Sequence, residues 1–487
     1  MSKFAAYLKE LLDQRGEPIS RVAKNTGLER TSIHKALKDE RLLPYTALKK
    51  LSQYLQLTLP QSRELNLYYE ILLQGEDAYR VREAIGELLS SLSQLHFSCR
   101  ELYAEPELPQ PGTFPEFVFG RPQVEAALQA VLARDTADGQ TPTLTLYLPP
   151  NGAEAAGLFR LWRSGRRFTA RQIMAFLPEH LGVSSRLANL RLLRSLLPLS
   201  LASAGQYFAY YYFERSSVPA SMDPLPYFVV TPRCLIRLDS QLSAARFEAS
   251  PQMIQLYEKH FSQLLGECQP LNSYSNDLEH ILDSYMRGTD TDSYYTMMTQ
   301  PCLGRYYTRP RIQRHFRPEV PNREMLLELS DQRFARLRQL EGDYYTIFTE
   351  KGLRELAQTG IAADLPAELV LPIDRPTRIE LLTAFREDIQ SGRLHGCMAD
   401  MEKLPIPPYL TLTCDPKFGL HLYATQGFIG GAYACNLHIE ESGIGQAFSS
   451  FIRALPESKY VYPTQRTLEV LDELIRQLTS EEGEHRD

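Results

Sequence analysis

Five polar side chains between residues 30 and 38 could contact an anionic, hydrogen-bonding surface. Arg30, Thr31, His34, Lys35 and Lys38 are spaced at i, i+1, i+4, i+5 and i+8, so a helix would gather them on one face. When such a helix lies in the major groove of DNA, Arg and Lys reach guanine edges and phosphates. The spacing therefore predicts a helix that presents donors to duplex DNA.

A second helix must cross the first at close range to hold it in place. Ala23 supplies the small residue that this crossing needs, and Ile33 supplies the branched apolar side chain that packs against it. Val22 and Leu28 fill the space beside them. Gly27 lies between the two helices, where a tight turn needs a positive φ.

Residues 3–57 resemble a phage-repressor-like (Cro/cI-type) helix-turn-helix domain. The resemblance rests on the frame of Ala23, Gly27 and Ile33, on Pro44 after the following loop, and on LSQYLQLT in the place of a closing helix. It implies a five-helix DNA-binding head that commonly acts as a dimer on paired half-sites. The DNA-contacting residues that it implies are Arg30, Thr31, Ser32, His34, Lys35, Lys38 and Arg41.

Two positions depart from this family, and two other interpretations stay open. Ile19 stands where the family often has a glutamine that braces a phosphate, and Glu29 stands where a Ser or Thr cap is usual. The segment could instead be a helical bundle with a solvated basic face. It could also be the same fold used to bind a protein.

Charge is unevenly distributed along the 487 residues. The chain has a formal net charge of −6, but residues 1–60 carry eleven Lys/Arg and six Asp/Glu, so the remainder carries −11. This argues against a protein coated by nucleic acid along its whole length, and it fits a DNA-contacting head on an acidic body.

Cysteine usage and hydropathy favour a cytoplasmic protein that does not enter a membrane. The seven cysteines form no C-x-x-C pair, which excludes a zinc knuckle and a regular disulfide framework. The N-terminus lacks the apolar run of a signal peptide. The most apolar stretch, 190–204, contains Arg191, Arg194 and Pro198, and is too short to span a bilayer.

The sequence predicts a multidomain protein in which an all-α head precedes a mixed α/β region of two lobes. Four prolines and a glycine within 103–117 mark a linker. The predicted segments are a helix-turn-helix domain (1–60), a helical extension (61–100), the Pro-rich linker (101–117), a first α/β lobe (118–270), a connecting region (271–340) and a second α/β lobe (341–480).

The two lobes show a similar order of elements, which predicts a pseudo-duplication. Residues 143–149 alternate as a strand does and precede a helix, and residues 344–360 again favour a strand followed by a helix. Each lobe then continues with further strands and an amphipathic helix, at 250–265 and 443–455. The segment RIELLTAF at 378–385 echoes ARQIMAF at 170–176.

No catalytic motif supports an enzyme. P-loop, dinucleotide-binding, nucleophile-elbow and H-E-x-x-H patterns are absent. Residues 249–271 are similar to a segment of phospholipase-D-like domains that accompany some bacterial regulators. Enzymes of that superfamily need H-x-K-x-x-x-x-D in each lobe, and no histidine here is followed two residues later by lysine. The resemblance therefore implies a catalytically silent domain that senses a ligand or oligomerises.

Two arginine-rich segments leave alternatives open. Between 304 and 321, five arginines alternate with aromatic residues, which suits stacking on phosphates or bases but also suits a solvated loop between the lobes. The second group could line an anionic pocket or cover a helix face, and consists of Arg160, Arg163, Arg166, Arg167 and Arg171.

Together these patterns predict a cytoplasmic DNA-binding transcriptional regulator that is not an enzyme and needs no cofactor or metal. The expected partners are double-stranded DNA, a second copy of the chain in a dimer or other homo-oligomer, and a small-molecule or peptide effector. One alternative is an enzyme of phosphodiester-type chemistry that is targeted by its helix-turn-helix. The other is an assembly protein that does not bind DNA.

Overall fold

The structure is a computed structural model. It describes all residues except 95–114, 138–140, 150–151, 153–155, 179–181, 204, 215–222, 276–291, 364–369, 418, 425–433 and 481–487. Most of the predicted Pro-rich linker, residues 101–114, therefore lies outside the described residues. The chain divides into two compact units, Met1–Glu83 and Ala84–Asp487, and each is described by itself.

The first unit is built from helices. They are α1 (Lys3–Arg15), α2 (Ile19–Thr26), α3 (Arg30–Leu37), α4 (Tyr45–Tyr54), α5 (Leu59–Gln74) and the start of α6 (Glu76–Ser93). The hydroxyl of Ser2 caps α1 by accepting a hydrogen bond from the Ala5 N–H. Thr58 and Gln61 form a capping box at the start of α5, which satisfies two backbone donors that the helix leaves free.

The core of this unit forms where α2 crosses α3. Ala23 and Ile33 are 6% and 0% exposed, and they pack with Phe4 and Leu48 in one apolar cluster. Gly27 has φ +67° and donates its N–H to the Ala23 carbonyl, as the turn between the helices requires. Ala23 and Ile33 are thus buried in one cluster and Gly27 has the predicted positive φ, whereas the helix-turn-helix itself stays a prediction.

The second unit contains a first sheet of eight strands, in the order β1-β7-β6-β5-β2-β3-β4-β8. Its strands are β1 (Phe117–Phe119), β2 (Thr143–Tyr147), β3 (Thr169–Phe176), β4 (Tyr207–Phe213), β5 (Tyr227–Val230), β6 (Leu235–Leu238), β7 (Ala244–Glu248) and β8 (Gln269–Pro270). Helices α7 (Arg121–Asp135), α8 (Leu158–Arg163), α9 (Val183–Ala202) and α10 (Pro251–Leu265) accompany it.

A second sheet of seven strands has the order β12-β11-β10-β13-β14-β15-β9. Its strands are β9 (Asn272–Ser275), β10 (Tyr294–Met297), β11 (Tyr344–Phe348), β12 (His395–Met398), β13 (Leu410–Asp415), β14 (Gly419–Ala424) and β15 (Ala434–Ile439). The helices with it are α11 (Arg309–His315), α12 (Arg323–Gln339), α13 (Glu350–Thr359), α14 (Arg375–Ser391), α15 (Ser442–Ala454) and α16 (Thr464–Ser480).

The two sheets repeat one topology. In the first sheet β2, β3 and β4 run parallel, and β5, β6 and β7 follow as an antiparallel series from β2. In the second sheet β10, β11 and β12 run parallel, and β13, β14 and β15 follow in the same way from β10. The chain is therefore mixed α/β with two mixed sheets, and the predicted repeat is present at the level of topology.

One part of the predicted repeat is wrong. Residues 170–176 lie in strand β3, whereas the segment 378–385 lies inside helix α14. Leu381, Leu382 and Phe385 are buried in the apolar core beside β11 and β12, at the spacing of one helix face. The resemblance between the two segments is one of composition and not of period.

Residues 269–275 join the two sheets. The Leu271 N–H donates to the Ala209 carbonyl of β4, and the Leu271 carbonyl accepts from the His438 N–H of β15. Residues 271–340, predicted as a connecting region, thus contribute β9 and β10 to the second sheet.

Among the described residues, none of the helices has the length and apolar character that a membrane span requires.

Candidate functional site

Two strands of the second sheet alternate in polarity, yet both of their faces are buried. Along β13 (LTLTCD) and β14 (GLHLYA), apolar residues alternate with a set that is mainly Thr, Asp, His and Tyr. Such alternation is typical of a sheet with one face in water. Here all residues of both strands are buried. The fold therefore encloses a polar face, which a structural core alone does not need.

Strand register gathers this polar face into one row. Thr296 of β10 pairs with Thr413 of β13, Thr413 pairs with His421 of β14, and His421 pairs with His438 of β15. Residues that pair directly project from the same side of a sheet, so these four side chains lie next to one another. We call Thr296, Thr413, His421 and His438 the polar row.

His421 is the most perturbed member of the row. Its side chain is 5% exposed, and burial lowers its pKa to about 3, with smaller contributions from the charges of His438 and Arg333. A hydrogen bond with the Asn436 side chain favours the protonated form but does not offset burial. The imidazole is therefore neutral at physiological pH, with a lone pair on one ring nitrogen.

Arg333 brings a buried cation to the same region. It lies on α12, is 6% exposed, and donates a hydrogen bond to the Tyr294 hydroxyl at the start of β10. Burial of the Tyr294 phenol raises its pKa well above the ordinary value, so the phenol stays neutral and does not cancel the charge of the guanidinium. Burying a guanidinium costs free energy, and buried charges of this kind are concentrated at functional sites.

His438 forms the solvent-facing end of the row. Its side chain is 29% exposed, and its Nδ1 lies 3.5 Å from Glu440 Oε1. The rings of His421 and His438 are perpendicular, with centroids 5.9 Å apart. The row thus runs from a buried neutral imidazole to one in partial contact with solvent.

A close backbone contact fixes the start of β14 and so the position of His421. Gly419 has φ +99°, and a Cβ on it would lie 1.8 Å from the Ile439 carbonyl oxygen. Gly445 makes a similar approach on α15, where a Cβ would lie 2.2 Å from the Asp415 carbonyl oxygen. Only glycine fits these two positions.

The row can bind and attack an anionic centre. It combines a neutral imidazole, a second imidazole in contact with solvent, threonine hydroxyls and a nearby guanidinium. Among the described residues, no three His, Cys, Asp or Glu side chains cluster in a way that could hold a metal ion. The chemistry that the row offers is nucleophilic or acid–base catalysis on a negatively charged group.

The residues predicted to contact DNA lie elsewhere, on α3 and just after it. Arg30, Thr31, Lys35, Lys38 and Arg41 are exposed. Ser32 and His34 are partly buried, and the Arg30 Nε lies 3.4 Å from His34 Nε2. The structure places all seven on one element and its C-terminal loop, and their contacts with DNA stay a prediction.

The arginine–aromatic segment 304–317 is tied to neighbouring helices by ion pairs. Arg309 contacts Glu328 of α12 at 2.5 Å, and Arg311 contacts Glu380 of α14 at 2.5 Å. Arg305 lies 3.8 Å from Asp388. The solvated-loop interpretation is wrong, since residues 309–315 form α11. These three arginines thus lie within ion-pair distance of carboxylates, and the stacking interpretation stays a prediction.

The second arginine group divides between two elements. Arg160 and Arg163 lie on α8, Arg166 and Arg167 follow it, and Arg171 lies within β3. Arg160 and Arg167 are exposed, whereas Arg171 is partly buried and lines an open cleft. The pocket interpretation therefore holds for Arg171, and the surface interpretation holds for Arg160 and Arg167.

The polar row was missed at the level of sequence, although a signal was present. His421 and His438 resemble ordinary strand histidines, because neither belongs to a metal-ligand pair or an H-x-K motif. The alternation in LTLTCD, GLHLYA and ACNLHI was the available signal. It could not show that both faces are buried, since burial depends on helices far away in the chain.

Comparison with known proteins gives little direct similarity. No family model matches the chain, and no curated protein matches it. Among solved structures, the chain is similar to a polyphosphate kinase from Porphyromonas gingivalis, with 10% identity and a TM-score of 0.20. The match covers 75% of this chain and 55% of that chain, so it spans little more than half of the kinase.

These findings correct the functional prediction made from the sequence. The prediction of a DNA-binding transcriptional regulator that is not an enzyme is contradicted: no comparison returns such a regulator, and the solved structure named above is described as a kinase. No family model or curated protein supports the phage-repressor-like resemblance either. At a TM-score of 0.20 the likeness transfers neither a fold nor an activity to this chain.

Proposed function

We propose that the second unit is an enzyme that acts on phosphate esters, with the polar row as its catalytic site. The observation that carries this proposal is a neutral, buried His421 beside the buried cation Arg333 on an enclosed polar sheet face. A neutral imidazole is a nucleophile or a base, and a guanidinium stabilises the charge of a phosphoryl group.

In the proposed reaction, a ring nitrogen of His421 attacks the phosphorus of a phosphodiester. A P–N bond forms, the P–O bond to the leaving group breaks, and the electron pair of that bond stays on the leaving oxygen. His438 donates a proton to this oxygen. Water then attacks the phosphorus, the P–N bond breaks, and His438 takes up the proton of the water, which restores both histidines.

Arg333 and the hydroxyls of the row act on the charge of the substrate. The guanidinium is held by Tyr294 and is desolvated, so its attraction for a phosphoryl oxygen is stronger than in water. Thr413 is 6% exposed and lies beside His421 in the strand register, where its hydroxyl can donate to the same group. These groups would stabilise the transition state without changing their own positions.

The test is turnover of bis(4-nitrophenyl) phosphate by the full chain and its His421→Asn variant. Removal of the nucleophile should lower the rate by about 10²–10⁴-fold. His395→Asn is the matched control, because His395 lies on the edge strand β12 of the same sheet, stacked on Tyr345 and exposed. Equal rates for the two variants, or no turnover by the wild-type chain, would overturn the proposal.

A second variant separates the two histidines. If His438 protonates the leaving group, His438→Asn should slow an ester with an alkoxide leaving group far more than a nitrophenyl ester. A nitrophenolate leaves without a proton, whereas an alkoxide needs one. Equal losses for the two substrates would remove His438 from this role.

We further propose that α2 and α3 form a helix-turn-helix in an all-α head, and that this head carries the enzyme to double-stranded DNA. The positive φ of Gly27 and the exposed basic side chains of α3 support this proposal. Arg30→Ala combined with Lys35→Ala should weaken DNA binding in a gel-shift titration, by about 10-fold or more. Lys49→Ala with Lys50→Ala, a pair of exposed lysines on α4, is the control.

A further inference from the structure

Among the described residues, Arg171, the third residue of β3, has no polar partner. Its Nε is buried, and its side chain makes neither a hydrogen bond nor an ion pair with any residue that the structure describes. Its guanidinium carbon lies 5.7 Å from the centre of the Phe261 ring on α10. A guanidinium held in this way is oriented but unsatisfied.

Other arginines on the same sheet face lie within ion-pair distance of carboxylates. Arg246 of β7 contacts Glu116 at 2.9 Å, and Arg237 of β6 lies 3.9 Å from Asp223. The strand pairing places both on the side of the sheet that carries Phe228, which is in the apolar cluster with Phe261 of α10. Arg171 departs from this pattern, so its surroundings favour an anion that the described part of the chain does not supply.

The cleft beside Arg171 has the size and lining of a small-ligand site. Its volume is about 540 Å³, within the ordinary range for ligand pockets. Thr145 of β2 pairs directly with Arg171, and Thr143 pairs with Thr169 one row away. The hydroxyls of these three threonines and of Tyr210 make no hydrogen bond to any described residue. Donors and a cation thus converge on one open space.

Helix α10 contributes groups of a different kind to the lining of the cleft. Glu258 and Ser262 of α10 line the cleft, and Glu258 makes no ion pair with any residue that the structure describes. The rings of Phe208 and Tyr210 on β4 form part of the floor. A cleft lined by both a carboxylate and a guanidinium suits a ligand with an anionic end and a hydroxyl-bearing end.

We infer that this cleft binds a phosphorylated sugar, with the phosphate on Arg171 and the threonine hydroxyls and the sugar hydroxyls on Glu258. The aromatic floor fits the apolar face of a sugar ring or an attached base. The site lies on the first sheet, and the proposal does not depend on catalysis at the polar row of the second sheet.

Isothermal titration calorimetry of the full chain with ribose 5-phosphate tests the inference. Arg171→Gln should weaken binding by at least about 10-fold, since it removes a charge-assisted contact. Arg246→Gln, the same change on the same sheet face, should leave the affinity unchanged. Arg171→Lys keeps the charge but not the paired N–H donors of the guanidinium, and should retain part of the binding. Circular dichroism of each variant checks that the sheet is intact.

Further probes test the two ends of the ligand separately. Glu258→Gln should weaken ribose 5-phosphate binding but leave inorganic phosphate binding unchanged. Tighter binding of AMP than of ribose 5-phosphate would identify the ligand as a nucleotide, and the reverse would identify a free sugar phosphate; either supports the inference. Equal affinity for inorganic phosphate and ribose 5-phosphate, or binding that ignores Arg171, would overturn it. His421→Asn should bind the sugar phosphate normally, so failure here is distinct from failure of the catalytic proposal.

Discussion

The two sheets of the second unit share a topology but use it differently. In each sheet a helix follows the last antiparallel strand, α10 in the first and α15 in the second, and packs on the sheet. On the opposite side, the first sheet carries Val229 and Ile236, which are completely buried. The second sheet carries Thr413 and His421 there.

Strand order thus fixes where side chains meet but not which chemistry they perform. A register that pairs Val229 with Ile236 makes an apolar core, and the equivalent register that pairs Thr413 with His421 makes an enclosed polar row. The first sheet places its polar cleft on the side of α10, around Arg171. Each lobe therefore has a polar site, and the two sites lie on different faces of the repeat.

The most severe loss should follow from a change at the backbone contact that starts β14 in the second sheet. Gly419→Ala should destabilise the second unit by more than about 4 kcal/mol, because its Cβ would lie 1.8 Å from the Ile439 carbonyl oxygen and Gly419 has φ +99°. Thermal unfolding followed by circular dichroism measures this change.

Gly392→Ala is the matched control for that substitution. Gly392 also has a positive φ, of +75°, but no atom of the described residues beyond its own neighbourhood lies within 4 Å of the position that a Cβ would take. It should cost only about 1 kcal/mol, from backbone strain alone. Equal losses for the two alanines would mean that strain, and not the strand contact, sets the stability.

A second prediction concerns the stability of the second unit in acid, which should depend on the polar face of the second sheet. The folded pKa of His421 is lowered to about 3, below the ordinary value near 6.5, so the unfolded chain binds this proton more readily. The contribution of the neutral His421 to the free energy of unfolding is complete above pH 6.5. It is lost as the pH falls toward 3, by about 1.4 kcal/mol per pH unit.

The His421→Gln variant should therefore lose part of this acid sensitivity, and urea titrations between pH 4.5 and 7 measure it. His395→Asn keeps the buried histidine and should retain the wild-type slope. The same slope in His421→Gln would show that other groups control acid unfolding. The equivalent position of the first sheet, Ile236, cannot titrate.

The mildest effect should come from exchanging Val and Thr at equivalent positions of the two sheets, Val229 and Thr413. Val229→Thr should destabilise the chain by about 1–3 kcal/mol, because it buries a hydroxyl in an apolar core. Thr413→Val should change stability by less, but should lower turnover of phosphate esters. If Thr413→Val leaves turnover unchanged, the row contributes structure and not chemistry at that position.

Local features could be predicted well from the sequence, and long-range ones poorly. Gly27 was placed in a turn because positive φ is a property of one residue and its neighbours. The strand that begins at Thr143 followed from the alternation of residues 143–149. In contrast, the segment 378–385 was matched to 170–176, which lies in strand β3, although helical packing of Leu381 and Phe385 decides its structure.

The candidate site could not be predicted from the sequence for a related reason. The polar row needs pairing between β10 and β13, whose residues are more than a hundred positions apart, and a cation from α12. No residue spacing within one sequence segment indicates that these distant residues come together in the fold. Single-residue signals were present at His421 and Arg171, but only the register shows what each of them faces.

The catalytic proposal depends on attack of His421 on phosphorus, and a trapped covalent adduct tests that step. The full chain is mixed with bis(4-nitrophenyl) phosphate, quenched in alkali, which preserves a P–N bond, and digested for mass spectrometry. We expect one nitrophenyl phosphoryl group on the peptide that contains His421, and no adduct in His421→Asn. An adduct on another residue, or turnover in which His421 stays unmodified at every quench time, would refute the proposed mechanism.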